Sequence, residues 1–182
     1  MTPHVPRGQS LLAGWIGMIG LIFILHFGTF HLLALFWQKA GFSAEPLMRM
    51  PTAARSLGEF WSLRWNRGFN VVAQRYVFRP FEKRFGISSA ILFTFLVSGF
   101  VHELVISLPA RAGYGLPTFY FLLQGFGIIG ERSALGKRAG LRGGLRGRLF
   151  TAGLVAAPAY WLFHPPFVER VIVPFLGVIG AR

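Results

Sequence analysis

The chain has 182 residues, of which 53% are hydrophobic, 16% aromatic and only 14% charged, against roughly 25% charged in a soluble globular domain. It holds no cysteine and no aspartate, which excludes disulfides, thiolate metal sites, a cysteine nucleophile, a Ser-His-Asp triad and a paired-aspartate site. The formal net charge of +13 gathers in short basic stretches between apolar runs, as in positive-inside loops rather than in a nucleic-acid surface.

Residues 11–37 carry no formal charge and are long enough for a tilted transmembrane helix. His26, Thr29 and His31 interrupt the run, and Trp37 suits an interfacial anchor. The basic connection 38–87 is patterned: Phe60, Trp61, Trp65, Phe69, Val72 and Tyr76 recur mostly at spacings of three and four, with arginines between them. That spacing predicts an amphipathic interfacial helix over 55–80, with Ser56 and Glu59 as a capping box at its start. A second span is expected over 88–108, ended by Pro109, and a third over 116–130. The Gly/Arg-rich stretch 131–148 reads as a flexible basic loop. The tail, 149–163 and 171–179, is broken by Pro158, His164-Pro165-Pro166 and Pro174. His164 reads as part of an interfacial turn.

The expectation is a single all-α membrane domain over 1–182, a polytopic bundle of about four or five spans. Both basic stretches face the cytoplasm, with the N-terminus and 109–115 on the other side. The compact chain suggests a bacterial inner membrane, with membrane lipids as neighbours and no nucleic-acid partner.

The second span carries the chemistry. His102 lies roughly 20 Å along it at ~1.5 Å per residue, a depth at which an ionisable side chain is a functional candidate. Thr94, Ser98 and His102 share one helix face, and Gly99, Glu103 and Ser107 form the adjacent stripe. Glu103 suits an orienting role between helices at least as well as a role in chemistry. The His-Glu pair lacks the second histidine of a zinc-protease motif, because Ile106 stands four residues after His102. No metal or prosthetic group is expected. His26 and His31, five apart, do not share a face. Gln124 in the third span suits an interhelical hydrogen bond.

The run from Ser98 to Pro109, Ser-Gly-Phe-Val-His-Glu-Leu-Val-Ile-Ser-Leu-Pro, resembles the histidine helix of the membrane-bound O-acyltransferase superfamily. Upstream, Ser56 to Asn66, Ser-Leu-Gly-Glu-Phe-Trp-Ser-Leu-Arg-Trp-Asn, is similar to the same family's aromatic motif ending in Trp-Asn. Asn66 and His102 are 36 positions apart, similar to the spacing in the family's sterol and diacylglycerol acyltransferases. The form Phe-Trp-x-x-Arg-Trp-Asn resembles the wax synthase branch, and the resemblance covers about 40–135. It implies transfer of a fatty acyl group from acyl-CoA to a lipophilic alcohol, giving a wax ester. Alternatives are transfer to diacylglycerol or a sterol, or a truncated non-catalytic scaffold.

In that reading His102 is the base that takes the hydroxyl proton. Asn66 is its partner, orienting a substrate or stabilising an oxyanion. Trp61, Arg64, Trp65, Arg67, Ser98 and Glu103 complete the candidate substrate-binding set. Arg64 and Arg67, with Arg75 and Arg79, are candidates for the phosphates of coenzyme A, since arginine forks match phosphate oxygens. Family members usually have about twice the spans this length allows, which leaves room for assembly as a homo-oligomer.

Overall fold

The computed structural model describes residues 7–181, and among these every regular element is helical. The expected location of the N-terminus lies outside the described residues. Two helical stretches are long and apolar enough to cross a membrane, Leu11–Lys39 and Arg67–Ala110. The first is α1. It is continuous through a wide π-helical turn at Ile24–Thr29.

The amphipathic pattern over 55–80 divides at one turn instead of forming one helix. Residues 57–64 form α2. Trp65 is then extended (φ −103°, ψ 125°) and Asn66 is left-handed (φ 44°), a conformation asparagine tolerates better than most residues. A helix cannot pass through that pair. The apolar spacing runs on across the break although the two helices use it differently: Phe60 and Trp61 of α2 pack into the protein, whereas Phe69, Val72 and Tyr76 of α3 are exposed.

The second apolar stretch also bends. Gly86 has φ 79° and ψ 170° within it, a region that glycine enters without a Cβ penalty. The chain turns back there, so residues 67–85 (α3) and 87–110 (α4) are the arms of a hairpin. The Phe81 and Phe93 rings, twelve residues apart in sequence, stack at 4.1 Å. In an unbroken helix they would be about 18 Å apart.

Leu116–Arg132 (α5) follows a short turn and packs along α4. At Gly99 the helices are so close that a Cβ would meet Thr118 Cα at 2.7 Å. With 17 residues, α5 is about 26 Å long, short of a roughly 30 Å hydrocarbon core. Gly144–Ala156 forms α6. Residues 165–178 form α7, which packs on α1 where Gly14 and Gly17 admit Val168, Val173 and Leu176. The main core lies where α1, α4, α5 and α7 meet, around Met18, Ile106, Tyr120, Phe121, Phe167 and Val168.

His164 is buried rather than interfacial, at 1% exposure. Its Nδ1 accepts the Phe167 N–H at 3.3 Å, and its Nε2 lies 3.4 Å from Ser107 Oγ on α4. The prolines after it start α7 and draw the ring inward as that helix's cap. The Arg170 guanidinium closes the same corner by donating to the Ala110 carbonyl at 2.9 Å, at the C-terminal end of α4 where carbonyls lack helical partners.

Candidate active site

The polar stripe of α4 is bonded to its own backbone. Thr94 Oγ1 donates to Ala90 O (2.8 Å), Ser98 Oγ to Thr94 O (3.1 Å), and His102 Nδ1 lies 2.7 Å from Ser98 O. A carbonyl only accepts, so Nδ1 carries a proton, and in the neutral form of the ring Nε2 holds the lone pair. The ring is half-buried and rests against Phe121 of α5, centroid to centroid 4.3 Å. The next turn, Glu103–Ser107, is π-helical, a widening that recurs at functional sites.

Glu103 faces the start of α5. Its Oε1 accepts the Gly115 N–H (3.0 Å), the Thr118 N–H (3.1 Å) and the Thr118 hydroxyl (2.9 Å). A carboxylate there meets the unpaired N–H groups and the positive end of the helix dipole. Glu103 therefore ties the start of α5 to the histidine helix. Its Oε2 is buried and meets no hydrogen-bond partner among the described residues. Beside it a cavity of about 590 Å³ lies between α4 and α5, lined mainly by Phe100, Leu104, Leu108, Tyr114, Phe119 and Leu122.

The Trp-Asn motif occupies α2 and the turn after it. Ser56 Oγ accepts the Glu59 N–H at 3.1 Å. The Glu59 carboxylate returns one residue further than a standard capping box, to the Arg55 N–H at 2.8 Å. It also pairs with Arg64 at 2.6 Å. Arg64 donates further to the Arg49 and Met50 carbonyls, both at 3.2 Å, and Arg67 pairs with Glu45. Both arginines therefore sit in internal ion pairs. A cavity of about 270 Å³ near the start of α2 is lined instead by Arg55, Arg148, Gly144 and Leu145, and neither of its arginines has an acidic partner among the described residues.

Trp65 is stacked between Phe60 (5.6 Å) and His26 of α1 (5.4 Å); His31 is exposed. Asn66 Oδ1 accepts the Phe69 N–H at 3.3 Å and caps α3. Asn66 and His102 share no hydrogen bond among the described residues. The ring contacts of the motif reach His102 from Trp61 instead. Trp61 lies 5.7 Å from Phe121, which touches His102. Asn70, one turn after Asn66, donates to the Trp61 carbonyl at 3.1 Å.

Helix α5 joins the two motifs with one face. Thr118, Phe121, Gln124, Ile128 and Glu131 follow at spacings of three and four. Gln124 Oε1 accepts the Trp61 indole N–H (3.3 Å), and its Nε2 donates to Leu154 O of α6 (2.8 Å). Glu131, 2% exposed, accepts the Leu57 N–H at 2.8 Å and the Gly58 N–H at 3.0 Å. Phe121, Glu131 and Asn70 belong to no motif that marks them in the sequence. The period of α5 was the available signal. Among the described residues no group of three or more potential metal ligands comes together.

The family model described as "Membrane bound O-acyl transferase family" matches residues 44–123, which hold both motifs and the start of the strut between them. The chain belongs to this family, on its wax synthase-like branch. It is 32% identical to "Probable long-chain-alcohol O-fatty-acyltransferase 6" of Arabidopsis thaliana, over 69% of this chain and 39% of that protein. It is 29% identical to "Long-chain-alcohol O-fatty-acyltransferase" of Simmondsia chinensis, over 71% and 40%. It is also 29% identical to "Acyl-CoA--sterol O-acyltransferase 1" of Arabidopsis thaliana, over 75% and 44%. The chain thus spans less than half the length of the curated relatives it matches. No solved structure matches it.

Proposed function

We propose that this chain carries the acyl-transfer site of a multi-pass membrane enzyme that moves a fatty acyl group from acyl-CoA to a long-chain alcohol. His102 is the base. The observation that carries this reading is the Nδ1 contact with Ser98 O, which leaves Nε2 as the proton acceptor on a half-buried ring inside the family's motif. The alcohol proton passes to Nε2, the alcohol oxygen attacks the thioester carbonyl, the C–S bond breaks, and the proton returns to the leaving thiolate. The Asn66 amide N–H₂ has no partner among the described hydrogen bonds, and is the donor for a substrate carbonyl or oxyanion. The ring surfaces around His102 exclude water, which protects thioester and ester from hydrolysis.

An alkyl chain fits the groove between α4 and α5, whose walls are apolar except for Glu103, Thr118 and the Tyr114 hydroxyl. Because Arg64 and Arg67 are already paired, Arg55 and Arg148 are the better candidates for coenzyme A phosphates. No further cofactor enters this mechanism.

Membranes containing the protein, given radiolabelled acyl-CoA and a panel of long-chain alcohols, diacylglycerol and a sterol, test the reading. Wax ester as the main labelled product is expected. Label only in triacylglycerol or sterol ester would reassign the acceptor, and no ester with any acceptor would contradict the reaction.

A further inference from the structure

We infer that Glu131 is a positioning residue for the proposed acyl-transfer site, holding the Trp-Asn motif in register with His102; this rests on the acyltransferase reading above. A helix start leaves its first N–H groups without helical partners. In α2 each is accounted for. Ser56 Oγ takes the Glu59 N–H and Ser56 O takes the Phe60 N–H. The two that remain, Leu57 and Gly58, both donate to the Glu131 carboxylate, 74 and 73 residues away in sequence. A carboxylate offers an acceptor oxygen to each N–H, whereas an amide offers one acceptor and turns an N–H₂ toward the other donor.

The fit is close on the other side too. A Cβ at residue 58 would meet Glu131 Oε1 at 2.8 Å, so the glycine makes room for the carboxylate. Leu57 is fully buried, so its N–H has no water to take in exchange for the bond.

Glu131 acts at a distance. It and Gln124 lie two turns apart on one face of α5, about 10 Å along the axis, and hold α2 at Leu57/Gly58 and at Trp61. Two points fix the tilt of a short helix where one would leave a pivot. Trp61 rests on Phe121, and Phe121 on His102. A tilt of α2 therefore shifts the ring wall beside the base and the Asn66 turn together. A displacement near 1 Å at such a site costs up to about a hundredfold in rate.

The test compares wild type with Glu131→Gln, Gly58→Ala and the double variant, each at equal folded protein. The expected result is a fall in kcat of roughly tenfold or more for each single variant, with KM for acyl-CoA and alcohol within about twofold. The double variant should be little worse than either single, because both remove the same contact. A residue that served only stability would lower the amount of folded protein and leave kcat per folded molecule unchanged.

A second readout does not need catalysis. The chain has no cysteine, so spin labels at Leu63→Cys on α2 and Leu104→Cys on α4, both exposed, report one distance. Wild type should give a narrow distribution, which shifts or broadens in Glu131→Gln and in Gly58→Ala. Unchanged distances together with unchanged kcat in either variant would overturn the inference. If wild type makes no ester, the acyltransferase reading fails by itself, and the label distances still decide whether Glu131 sets the position of α2.

Discussion

The Trp61 indole N–H donates to the Gln124 side-chain carbonyl at 3.3 Å, across 63 residues of sequence. Gln124 is fully buried, and its amide nitrogen donates in turn to the Leu154 carbonyl. One side chain thus ties α2, α5 and α6. Gln124→Leu strands a donor on Trp61 and an acceptor on Leu154. Each buried unsatisfied group costs about 1–3 kcal/mol. Thermal unfolding in detergent should show a clear loss of stability.

Asn66 has two separable roles. Its left-handed backbone and its Oδ1 bond to Phe69 start α3, and in the proposed reaction its amide N–H₂, which has no partner among the described hydrogen bonds, is the donor to the substrate. Asn66→Gly keeps the backbone conformation and should cost only a few tenths of a kcal/mol, whereas Asn66→Ala should cost about 1–2 kcal/mol as a lost cap. Both should lose ester formation. Full activity in the stable glycine variant would show that Asn66 is a cap alone.

The Glu59 ion pair has a defined pH window. The Arg55 N–H does most to hold the Glu59 carboxyl below the usual carboxylate range; burial opposes it, and the Arg64 guanidinium adds to the lowering. A carboxyl whose native pKa is depressed favours the folded state once ionised. Its contribution is complete above the ordinary value of about 4 and is lost as pH falls through the native one. The stability gap between wild type and Glu59→Gln should therefore be constant near neutral pH and close in acid. A gap that widened in acid would contradict the pairing.

The α4–α5 groove makes chain length testable. Leu104 lines it and is exposed to it, so Leu104→Trp should fill space without opening the core. The preferred alcohol or acyl chain should shorten in competition assays, with activity on the shortest substrates retained. An unchanged profile would place the chain elsewhere.

Much of this was legible in the sequence. The lack of charge over 11–37, Pro109 and the Ser56–Glu59 spacing located helices or their starts to within a few residues, because each is a local signal. The polar stripe Thr94–Ser98–His102 was visible as a helix face. One break was not. The aromatic spacing from Phe60 to Tyr76 continues through the Asn66 turn, so periodicity concealed it. The turn at Gly86 falls in the gap between the expected interfacial helix, 55–80, and the expected span, 88–108. Glu131 was hidden for a different reason: its partners are two backbone N–H groups more than seventy residues away, and backbone donors leave no pattern in side chains. The local context of His164, a proline turn, points to the interface, yet Ser107 and Phe167 enclose it.

The account turns on His102 as the base. The most direct measurement is ester formation from labelled acyl-CoA and a long-chain alcohol by wild type and His102→Ala, at equal folded protein in the same membranes. Loss of general-base catalysis lowers the rate by about 10²–10⁴-fold, and a fall in that range with unchanged thermal stability is the predicted result. Equal ester formation by both proteins would contradict it.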